Sequence, residues 1–349
     1  MLSSRAETVL ESIVGQYITS TLPVSSQKVT DVCGLMISPA TIRNEMVNLE
    51  DEGYIIRPHH SAGSIPSDKG YRHYVNSIDK ARLPLVEQRL VSHLFHQVEE
   101  KLEEWIGLAA TLIAQLSQNV ALVTMPKPTD CRFGYVELMG LQSSVVLAVF
   151  VLYGAKVKQQ LITFDQIMPQ PVLTTIANKL NQAYYGLTTA EILAKNVEPS
   201  STESQLTDCL VRIMRAEEEQ ECDEPHIEGL QFTLNQPEFA HSYRVQGLVK
   251  LMEQRNLLRT ITPRELLGHS VQVVIGRENK AEVLYDYSVV IGRYGLAKAA
   301  VGTIGVIGST RMPYTRTIAV VNYLSSVLSE LVARLYGKDQ TAKQNWEVR

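Results

Sequence analysis

Two capped helices, separated by a short strand and a glycine-bearing loop, lie within residues 38–76, and this segment constrains the fold most. Ser38 can cap a helix, and Pro39 stands at its first position, where a missing N–H is tolerated. Residues 54–57 follow as a short β-prone run, and Ser67 can cap a second helix. This order of elements is typical of a winged helix-turn-helix, so the sequence predicts a protein that binds double-stranded DNA.

Two predicted helices precede this segment and complete the helix-turn-helix. Apolar residues recur at helical spacing over residues 5–19. Ser25 or Ser26 can cap a second helix that runs to about Cys33, and Gly34 ends it. Only a short turn then separates this second helix from the third one, as a helix-turn-helix requires.

The third helix has one apolar face and one face whose residue types suit DNA bases. On a helical wheel, Ile42, Met46 and Leu49 fall together and are expected to pack inward. The other side carries small apolar and polar residues, namely Ala40, Asn44 and Val47 with Thr41, Arg43 and Asn48 beside them. Asparagine can pair with adenine, arginine with guanine, and small apolar groups contact the thymine methyl. An ordinary solvated face would carry similar residues, and the wing that follows favours the DNA interpretation.

The loop and helix that follow are predicted to contact the DNA backbone. Between residues 54 and 74, Arg57, Lys69 and Arg72 outnumber the single acidic residue, Asp68. Positive charge and the start of a helix both favour phosphate groups. The predicted DNA-binding residues are Ser38, Ala40, Thr41, Arg43, Asn44, Val47, Arg57, His60, Ser61, Gly63, Lys69 and Arg72.

Net charge gives the DNA interpretation little support. The chain carries a formal charge of -4, and residues 1–82 hold eight basic and nine acidic residues, so 8 - 9 = -1. The placement of charge matters more than its total.

At 349 residues the chain can form two or three domains. No apolar run long enough to span a bilayer and no signal segment is expected, and four cysteines without a CxxC pair fit a cytoplasmic protein.

Catalytic, metal and cofactor sites are not predicted. His59, His60 and His73 suggest a metal, but two of them are adjacent and no carboxylate or cysteine lies at ligand spacing. Walker, G-x-S-x-G and H-E-x-x-H motifs are absent, so we expect no enzyme.

A glycine series and two arginines near the C-terminal end could suggest an anion site. Gly302, Gly305 and Gly308 have the loose spacing of a nucleotide loop, but they are expected to lie in a strand and its turn. Arg311 and Arg316 could bind an anion, and structural ion pairs are the favoured alternative.

The remaining chain predicts an α+β arrangement with a helical insertion. Residues 83–119 have the pattern of one linking amphipathic helix. Strands are predicted over 133–141, 145–153, 156–164, 271–276, 281–291 and 298–307, with helices over 171–185, 188–195, 203–219, 237–255 and 314–335.

Several motifs in this order resemble one family, the heat-inducible transcription repressors called HrcA. The similar segments are the recognition-helix motif 38–46, the wing and following helix at 61–63, Pro66 and 68–72, and the C-terminal motifs 273–279 and 304–314. Several long motifs in the right order make the resemblance specific along nearly the whole chain.

The resemblance implies a three-part organisation and a set of partners. Residues 1–82 would form a winged helix-turn-helix domain, 120–165 with 227–340 a GAF-like antiparallel-sheet domain, and 166–226 an inserted, mainly helical dimerising domain. The family implies a cytoplasmic homodimer that represses the groE and dnaK chaperone operons. It would associate with the nucleoid when bound to an inverted-repeat operator called CIRCE. The chaperonin GroEL is implied as the partner that keeps the repressor active.

The sequence departs from the family pattern at three positions. Ser64 stands in the wing where a basic residue is expected, so a phosphate or minor-groove contact would be lost there. Ser309 replaces a proline or glycine, and Pro313 an acidic residue, without bearing on DNA binding.

Two other functions stay open. The GAF-like sheet could bind a small ligand that controls DNA affinity. Alternatively, the near-neutral winged domain could bind a protein instead of DNA.

Overall fold

A computed structural model describes most of the chain. The residues described are 2–34, 37–59, 62–79, 81–98, 101–128, 131–141, 144–153, 156–195, 201–219, 225–239, 242–252, 257–261, 271–296 and 300–344. The chain divides into two compact units: unit 1 comprises Met1–Met125, Glu224–Gly295 and Gly302–Arg349, and unit 2 comprises Pro126–Asp223 and Leu296–Val301. Helices combine with sheets whose described strand pairs are antiparallel, which confirms the predicted α+β class.

In the N-terminal region of unit 1 (residues 2–79), the described residues form four helices and a hairpin. They are α1 (Ser4–Ser20), α2 (Ser26–Val32), α3 (Pro39–Asp51), β1 (Ile55–Ile56), β2 (Ile65–Pro66) and α4 (Asp68–Asn76). Each helix is preceded by a serine whose side chain accepts the backbone N–H of the residue three positions later, namely Ser3, Ser25, Ser38 and Ser67. The predicted caps at Ser25, Ser38 and Ser67 are therefore confirmed.

The apolar face of α3 is buried as the helical wheel predicts. Ile42 and Leu49 are fully buried and Met46 nearly so. They belong to one core with Leu10 and Ile13 of α1. Burying each such side chain contributes about 1.5–3 kcal/mol, which fixes the rotation of α3 about its own axis.

Residues 83–119 form two helices, so the prediction of one continuous helix is wrong. They are α5 (Leu85–Gln97) and α6 (Leu102–Ser117), and Val98 and Lys101 between them have extended backbones. Trp105, Ile113 and most other apolar side chains of α6 are buried, whereas α5 buries only Val91 and Phe95 and leaves Leu90 exposed. The two helices share one apolar pattern in the sequence, but they bury different amounts of surface. Tertiary packing therefore decides where the helices end, and the apolar pattern alone does not show it.

The described residues of unit 2 form a three-stranded antiparallel sheet and three helices with their own core. After β3 (Val120–Val123) of unit 1, unit 2 contributes β4 (Lys127–Pro128), β5 (Phe133–Gly140), β6 (Val145–Leu152), β7 (Lys156–Thr163), α7 (Gln170–Tyr184), α8 (Thr189–Ala194) and α9 (Ser201–Glu219). β5, β6 and β7 confirm the three predicted strands and pair in that order. Phe133 and Phe150 of the sheet share a core with Leu173 and Leu210 of the helices. The structure therefore groups this sheet with the helices, whereas the predicted domain boundary at 165/166 separates them.

The rest of unit 1 adds a larger sheet and a long C-terminal helix. Its elements are β8 (His226–Glu228), α10 (Leu230–Leu234), α11 (Ser242–Met252), α12 (Leu257–Ile261), β9 (Gln272–Ile275), β10 (Tyr287–Leu296), β11 (Ala300–Ser309) and α13 (Tyr314–Gln344). The strand order is β8-β3-β11-β10-β9, and β4 pairs with Ala300 and Val301, the first residues of β11, which belong to unit 2. The predicted strand 281–291 starts later, at Tyr287, because Glu282–Leu284 forms a 3-10 turn.

One described helix is long and apolar enough to cross a membrane by length and composition, although the sequence was expected to contain none. It is the part of α13 from Tyr314 to Leu335. Val320, Leu324 and Leu328 on this helix are fully buried in the core of unit 1. A core helix of a globular protein passes the same test, so the finding is weak evidence for a membrane span.

Candidate nucleic-acid interface

The side of α3 opposite its buried face is open to solvent. Ala40, Arg43, Asn44 and Asn48 are exposed, and the Val47 side chain is 41% exposed. The rotation of α3 therefore turns the predicted base-reading residues outward.

The start of α3 is fixed by its cap. Ser38 Oγ accepts the Thr41 N–H at 3.2 Å and lies 3.0 Å from Thr41 Oγ1. The hydrogen-bonded cap leaves both residues at the helix N-terminus, where backbone N–H groups and the helix dipole favour a phosphate. Ser38 is exposed and Thr41 is half-buried.

The charges along α3 are arranged unevenly. Glu45 lies 3.5 Å from Arg5, and Glu50 lies 3.0 Å from Arg57, so both carboxylates have cationic neighbours. Arg43 makes no hydrogen bond or ion pair with any residue that the structure describes. Its guanidinium is therefore free to meet a polar ligand on the exposed side of α3.

The three cations predicted to bind phosphate all have intramolecular partners. Arg57 pairs with Glu50. Lys69 Nζ donates to the Glu52 carbonyl at 2.7 Å and lies 4.0 Å from the centre of the Tyr54 ring. Arg72 of α4 pairs with Glu278 on the loop after β9. Binding DNA through any of them would require an exchange of partners.

The wing brings its chain against the segment before α2. A Cβ on Gly63 would lie 2.6 Å from the carbonyl carbon and oxygen of Val24, so only glycine permits this approach. Ser64 exchanges both backbone hydrogen bonds with Val24 at 2.9 Å and is fully buried. Ser64 is therefore buried in a position where it can offer no phosphate contact. The predicted residues His60 and Ser61 lie outside the described residues.

Sequence reasoning missed two buried tyrosines that join the N-terminal region to the rest of unit 1. Tyr71 of α4 and Tyr314 of α13 are almost completely buried, with ring centroids 5.7 Å apart. Tyr314 Oη donates to the Thr310 carbonyl at 2.6 Å and lies 2.7 Å from Ser288 Oγ. Burial raises the pKa of both hydroxyls well above its ordinary value. Both tyrosines stand inside motifs of the family resemblance, 68–72 and 304–314, and that was the available signal.

The glycine series near the C-terminal end lies within a strand. Gly302, Gly305 and Gly308 all fall in β11. A Cβ on Gly302 would overlap the Tyr294 ring, and one on Gly308 would overlap the Asn119 side chain. These glycines therefore admit neighbouring side chains, and the strand that the sequence predicts for them is confirmed.

The two arginines that follow this strand form the ion pairs that the sequence favours. Arg311 pairs with Glu238, its Nη2 lying 3.2 Å from Oε2. Arg316 lies 3.2 Å from Glu87. Within the described part of the chain, no three His, Cys, Asp or Glu side chains cluster so as to hold a metal ion.

A groove of about 540 Å³ lies beside α4 in unit 1. Its lining is mixed, with Arg72, Arg82 and Asn322 among the polar residues and Val75 and Ile318 among the apolar ones. Such a lining could accept a small polar molecule.

The fold recurs in a solved structure. A crystal structure at 2.2 Å resolution, described as that of a hypothetical protein, is 27% identical in sequence and superposes with a TM-score of 0.57. The match covers 95% of this chain and 98% of the other. The arrangement of elements is therefore shared over nearly the full length.

Curated relatives identify a class of regulatory proteins. A protein of Dehalococcoides mccartyi is 51% identical over 98% of this chain and 99% of its own length, and one of Roseiflexus castenholzii is 37% identical over 99% and 98%. Both are named heat-inducible transcription repressors. The model of the HrcA protein C-terminal domain matches residues 103–318. The chain belongs to the HrcA family.

Proposed function

We propose that the chain is a transcription repressor of heat-shock genes that binds double-stranded DNA through α3. The names of its relatives support the general role. The observation that carries the DNA-binding part is the two-sided nature of α3, which buries Ile42 and Leu49 and exposes Arg43 and Asn44. A helix held in this way on a small core can enter a major groove without unfolding.

Each predicted DNA-binding residue at α3 has a proposed role in a winged helix-turn-helix. Arg43 would bond the O6 and N7 atoms of a guanine, and Asn44 the N6 and N7 atoms of an adenine. Ala40 and Val47 would contact thymine methyl groups. The α3 N-terminus at Ser38 and Thr41 would meet a phosphate, because its backbone N–H groups and helix dipole favour an anion.

Phosphate contacts would supply most of the affinity and little of the specificity. We assign them to Arg57 and Lys69, together with His60, Ser61 and Gly63 of the wing. Arg57 and Lys69 would exchange their present partners for phosphate oxygens. In both exchanges a phosphate oxygen would replace an oxygen acceptor of the protein, the Glu50 carboxylate for Arg57 and the Glu52 carbonyl for Lys69.

A second copy of the chain would bind through unit 2, giving a homodimer; unit 2 includes nearly all of the segment 166–226 that the family resemblance assigns to dimerisation, and we place the interface on the sheet that shares its core. On the side away from the core, β5, β6 and β7 align two apolar rows, Met139–Leu147–Leu161 and Tyr135–Val151–Val157. Val157 is 54% and Leu161 58% exposed. Apolar patches of this kind mark protein interfaces. A two-fold dimer matches the symmetry of an inverted repeat.

The dimer proposal has a direct test. Leu161→Glu should convert a dimer into a monomer at micromolar concentration in sedimentation velocity experiments. Gln160→Glu, an exposed neighbour on the same strand, is the control and should leave the dimer intact. A dimer that survives Leu161→Glu would place the interface elsewhere.

The operator, the genes and the regulating partner are proposed from the family resemblance. The operator would be the CIRCE inverted repeat upstream of the groE and dnaK chaperone operons. GroEL would keep the repressor active, and unfolded protein that occupies GroEL would relieve repression. This places the repressor in the cytoplasm, on the nucleoid when it is bound.

Anisotropy titrations test the proposed function. One duplex carries an inverted repeat from upstream of the organism's own chaperone genes, and the other has the same composition in scrambled order. At one fixed salt concentration we expect at least 10³-fold tighter binding to the inverted repeat, as for specific DNA-binding proteins generally. Equal affinity for both duplexes would contradict the proposal. Adding GroEL should raise the fraction of active repressor.

The groove beside α4 supports one alternative, a regulator controlled by a small ligand. Its position against both α4 and β9 would let a bound molecule act on the N-terminal region. A thermal-shift screen of small carboxylates and phosphates tests this alternative. A compound that raises Tm and also changes operator affinity would favour it.

A further inference from the structure

Helix α4 is attached to the loop after β9 by two charged side chains one helical turn apart. The Asp68 carboxylate accepts the Arg277 N–H at 2.9 Å. Arg72 Nε donates to Glu278 Oε1 at 2.7 Å, and its Nη2 also donates to Glu278. Residues four apart lie on the same face of a helix, so both contacts form together. We call Asp68, Arg72 and residues 276–278 the α4 docking contact.

The loop in this contact is also held by hydrogen bonds of its own. Gly276 has φ +50°, and a Cβ there would overlap the Asp68 carboxylate, so only glycine admits Asp68 without strain. Glu278 Oε2 accepts the Ile275 N–H at 2.8 Å, which holds this carboxylate in place. The Asn279 amide donates to the Gly276 carbonyl at 2.8 Å and to two further carbonyls. A loop held by its own hydrogen bonds loses little entropy when α4 docks.

Buried contacts extend the attachment beyond these charges. Arg72 Nη2 also donates to the Val273 carbonyl in β9 at 2.6 Å. Tyr71 packs on Tyr314 between α4 and α13. Arg311 Nη1 donates to the Ile18 carbonyl of α1 at 2.5 Å. Domains joined by a large apolar interface move little against each other, and here both sides share one continuous core.

The docking contact leaves the predicted base-reading face uncovered. Arg43 and Asn44 are exposed while Asp68 and Arg72 are engaged. The contact therefore does not mask α3, and its consequence is to fix the direction in which α3 points. An autoinhibitory contact would instead be expected to bury part of that face.

We propose that Asp68 and Arg72, held by the Gly276–Glu278 loop, are positioning residues that orient α3 and make binding depend on the spacing of the operator's two halves. The proposal rests on the dimeric DNA-binding function above. Arg72 accordingly acts on the protein side and is not a phosphate contact, which revises its assignment from the sequence.

The physical reason lies in the second binding event of a dimer. Once one α3 is bound, the other binds at an effective concentration set by how well the protein spans the two half-sites. If the α4 docking contact were broken, α3 could point in many directions. The effective concentration of the second α3 at its half-site would then fall. Breaking the contact would also let the dimer accept half-sites at altered distances, since spacing is a geometric match.

Glu278→Ala in the full-length chain tests this role, because Glu278 holds Arg72 without belonging to the predicted DNA-binding set. The duplexes carry one half-site, the full inverted repeat, or the repeat with two base pairs added or removed at its centre. Glu282→Ala is the matched control, an exposed acidic residue a few positions further on. Glu278→Gln, which keeps one oxygen acceptor, should recover part of the wild-type binding to the full repeat. This variant keeps the test usable even if the alanine variant folds poorly.

We expect Glu278→Ala to bind the single half-site within twofold of wild type and the full repeat about tenfold more weakly. The affinity lost on changing the spacing should also shrink, while Glu282→Ala behaves as wild type. Equal losses on half-site and full repeat, or an unchanged spacing dependence, would overturn the positioning role alone. Tighter binding by Glu278→Ala would overturn it in favour of autoinhibition. Failure of wild type to prefer the repeat over scrambled DNA would overturn the DNA-binding function and this proposal together.

Discussion

Helices α3 and α4 stand two elements apart in the chain, and their polar side chains meet different fates. Arg43 and Asn44 of α3 face solvent without a described partner. Asp68 and Arg72 of α4 are held by backbone and side-chain groups some two hundred residues away in sequence. Both helices begin at a serine cap and both carry arginine, so the sequence makes them look alike.

The difference lies in what each charge does before a ligand arrives. An arginine with no partner can give its full set of hydrogen bonds to a base or phosphate. Arg72 is paired with a carboxylate of a distant segment, so it fixes the position of the helix that carries it, whereas the Arg57–Glu50 pair joins neighbouring segments and can be exchanged for phosphate. Surface arginines near a DNA-binding helix should therefore be divided by their partners before they are assigned to DNA.

The largest effect expected from breaking the α4 side of this comparison comes from Gly276→Ala. A Cβ at φ +50° must also displace the Asp68 carboxylate, and we expect a loss of about 2–4 kcal/mol from backbone strain and overlap combined. Gly53→Ala is the control, because Gly53 has φ +76° with nothing within 4 Å of its Cβ position. Urea denaturation should show a clearly smaller loss for Gly53→Ala. Equal losses would mean that Asp68 moves aside freely.

The paired tyrosines of α4 and α13 should respond differently to removal of the hydroxyl group. Tyr314→Phe leaves the Thr310 carbonyl and Ser288 without their partner, so we expect a loss of about 1–3 kcal/mol. Tyr71 Oη is buried with no partner among the described residues, so Tyr71→Phe should be neutral or stabilising. Differential scanning calorimetry of the two variants would compare them. A large loss for Tyr71→Phe would show that its hydroxyl is satisfied.

Alkaline pH should lower the free energy of unfolding through Tyr71. Burial raises the pKa of Tyr71 well above 10.0, the value expected in the unfolded chain. The unfolded state then releases its proton first, so the free energy of unfolding should fall as pH rises above about 10 and keep falling until the folded pKa is reached. Tyr71→Phe should show a shallower fall. An identical slope in wild type and variant would contradict the raised pKa.

The smallest expected effect separates the phosphate contacts from base reading. Arg57→Ala and Lys69→Ala should each weaken binding to specific and scrambled DNA alike, and each should reduce the slope of log affinity against log salt by about 1. Arg82→Ala, an exposed arginine outside the predicted interface, is the control. An unchanged slope would mean that the cation keeps its intramolecular partner on DNA.

Features that depend on residues close together in the sequence, such as helix caps and buried helix faces, could be predicted from local patterns. The cap at Ser38 and the buried face at Ile42 and Leu49 follow from spacing and side-chain type, and both are confirmed. The strands of unit 2 also follow from alternation and turn residues.

Contacts between distant segments could not be predicted in the same way. The partner of Arg72 is Glu278, and nothing in the neighbourhood of either residue identifies the other. Likewise, the break at Val98 in the predicted linking helix depends on how α6 is buried. The close contact between Gly276 and the Asp68 carboxylate could be recognised only from the fold, because the two residues are far apart in the sequence.

Discrimination between operator and scrambled DNA by variants of α3 tests the central claim most directly. At one salt concentration, Asn44→Ala and Arg43→Ala should each lose about 1–3 kcal/mol on the inverted repeat, as expected for a lost bidentate base contact, and much less on scrambled DNA. Asn178→Ala, an exposed residue on α7 of unit 2, should change neither affinity. Losses of the same size on both duplexes would show that α3 contacts only phosphates and would contradict the account.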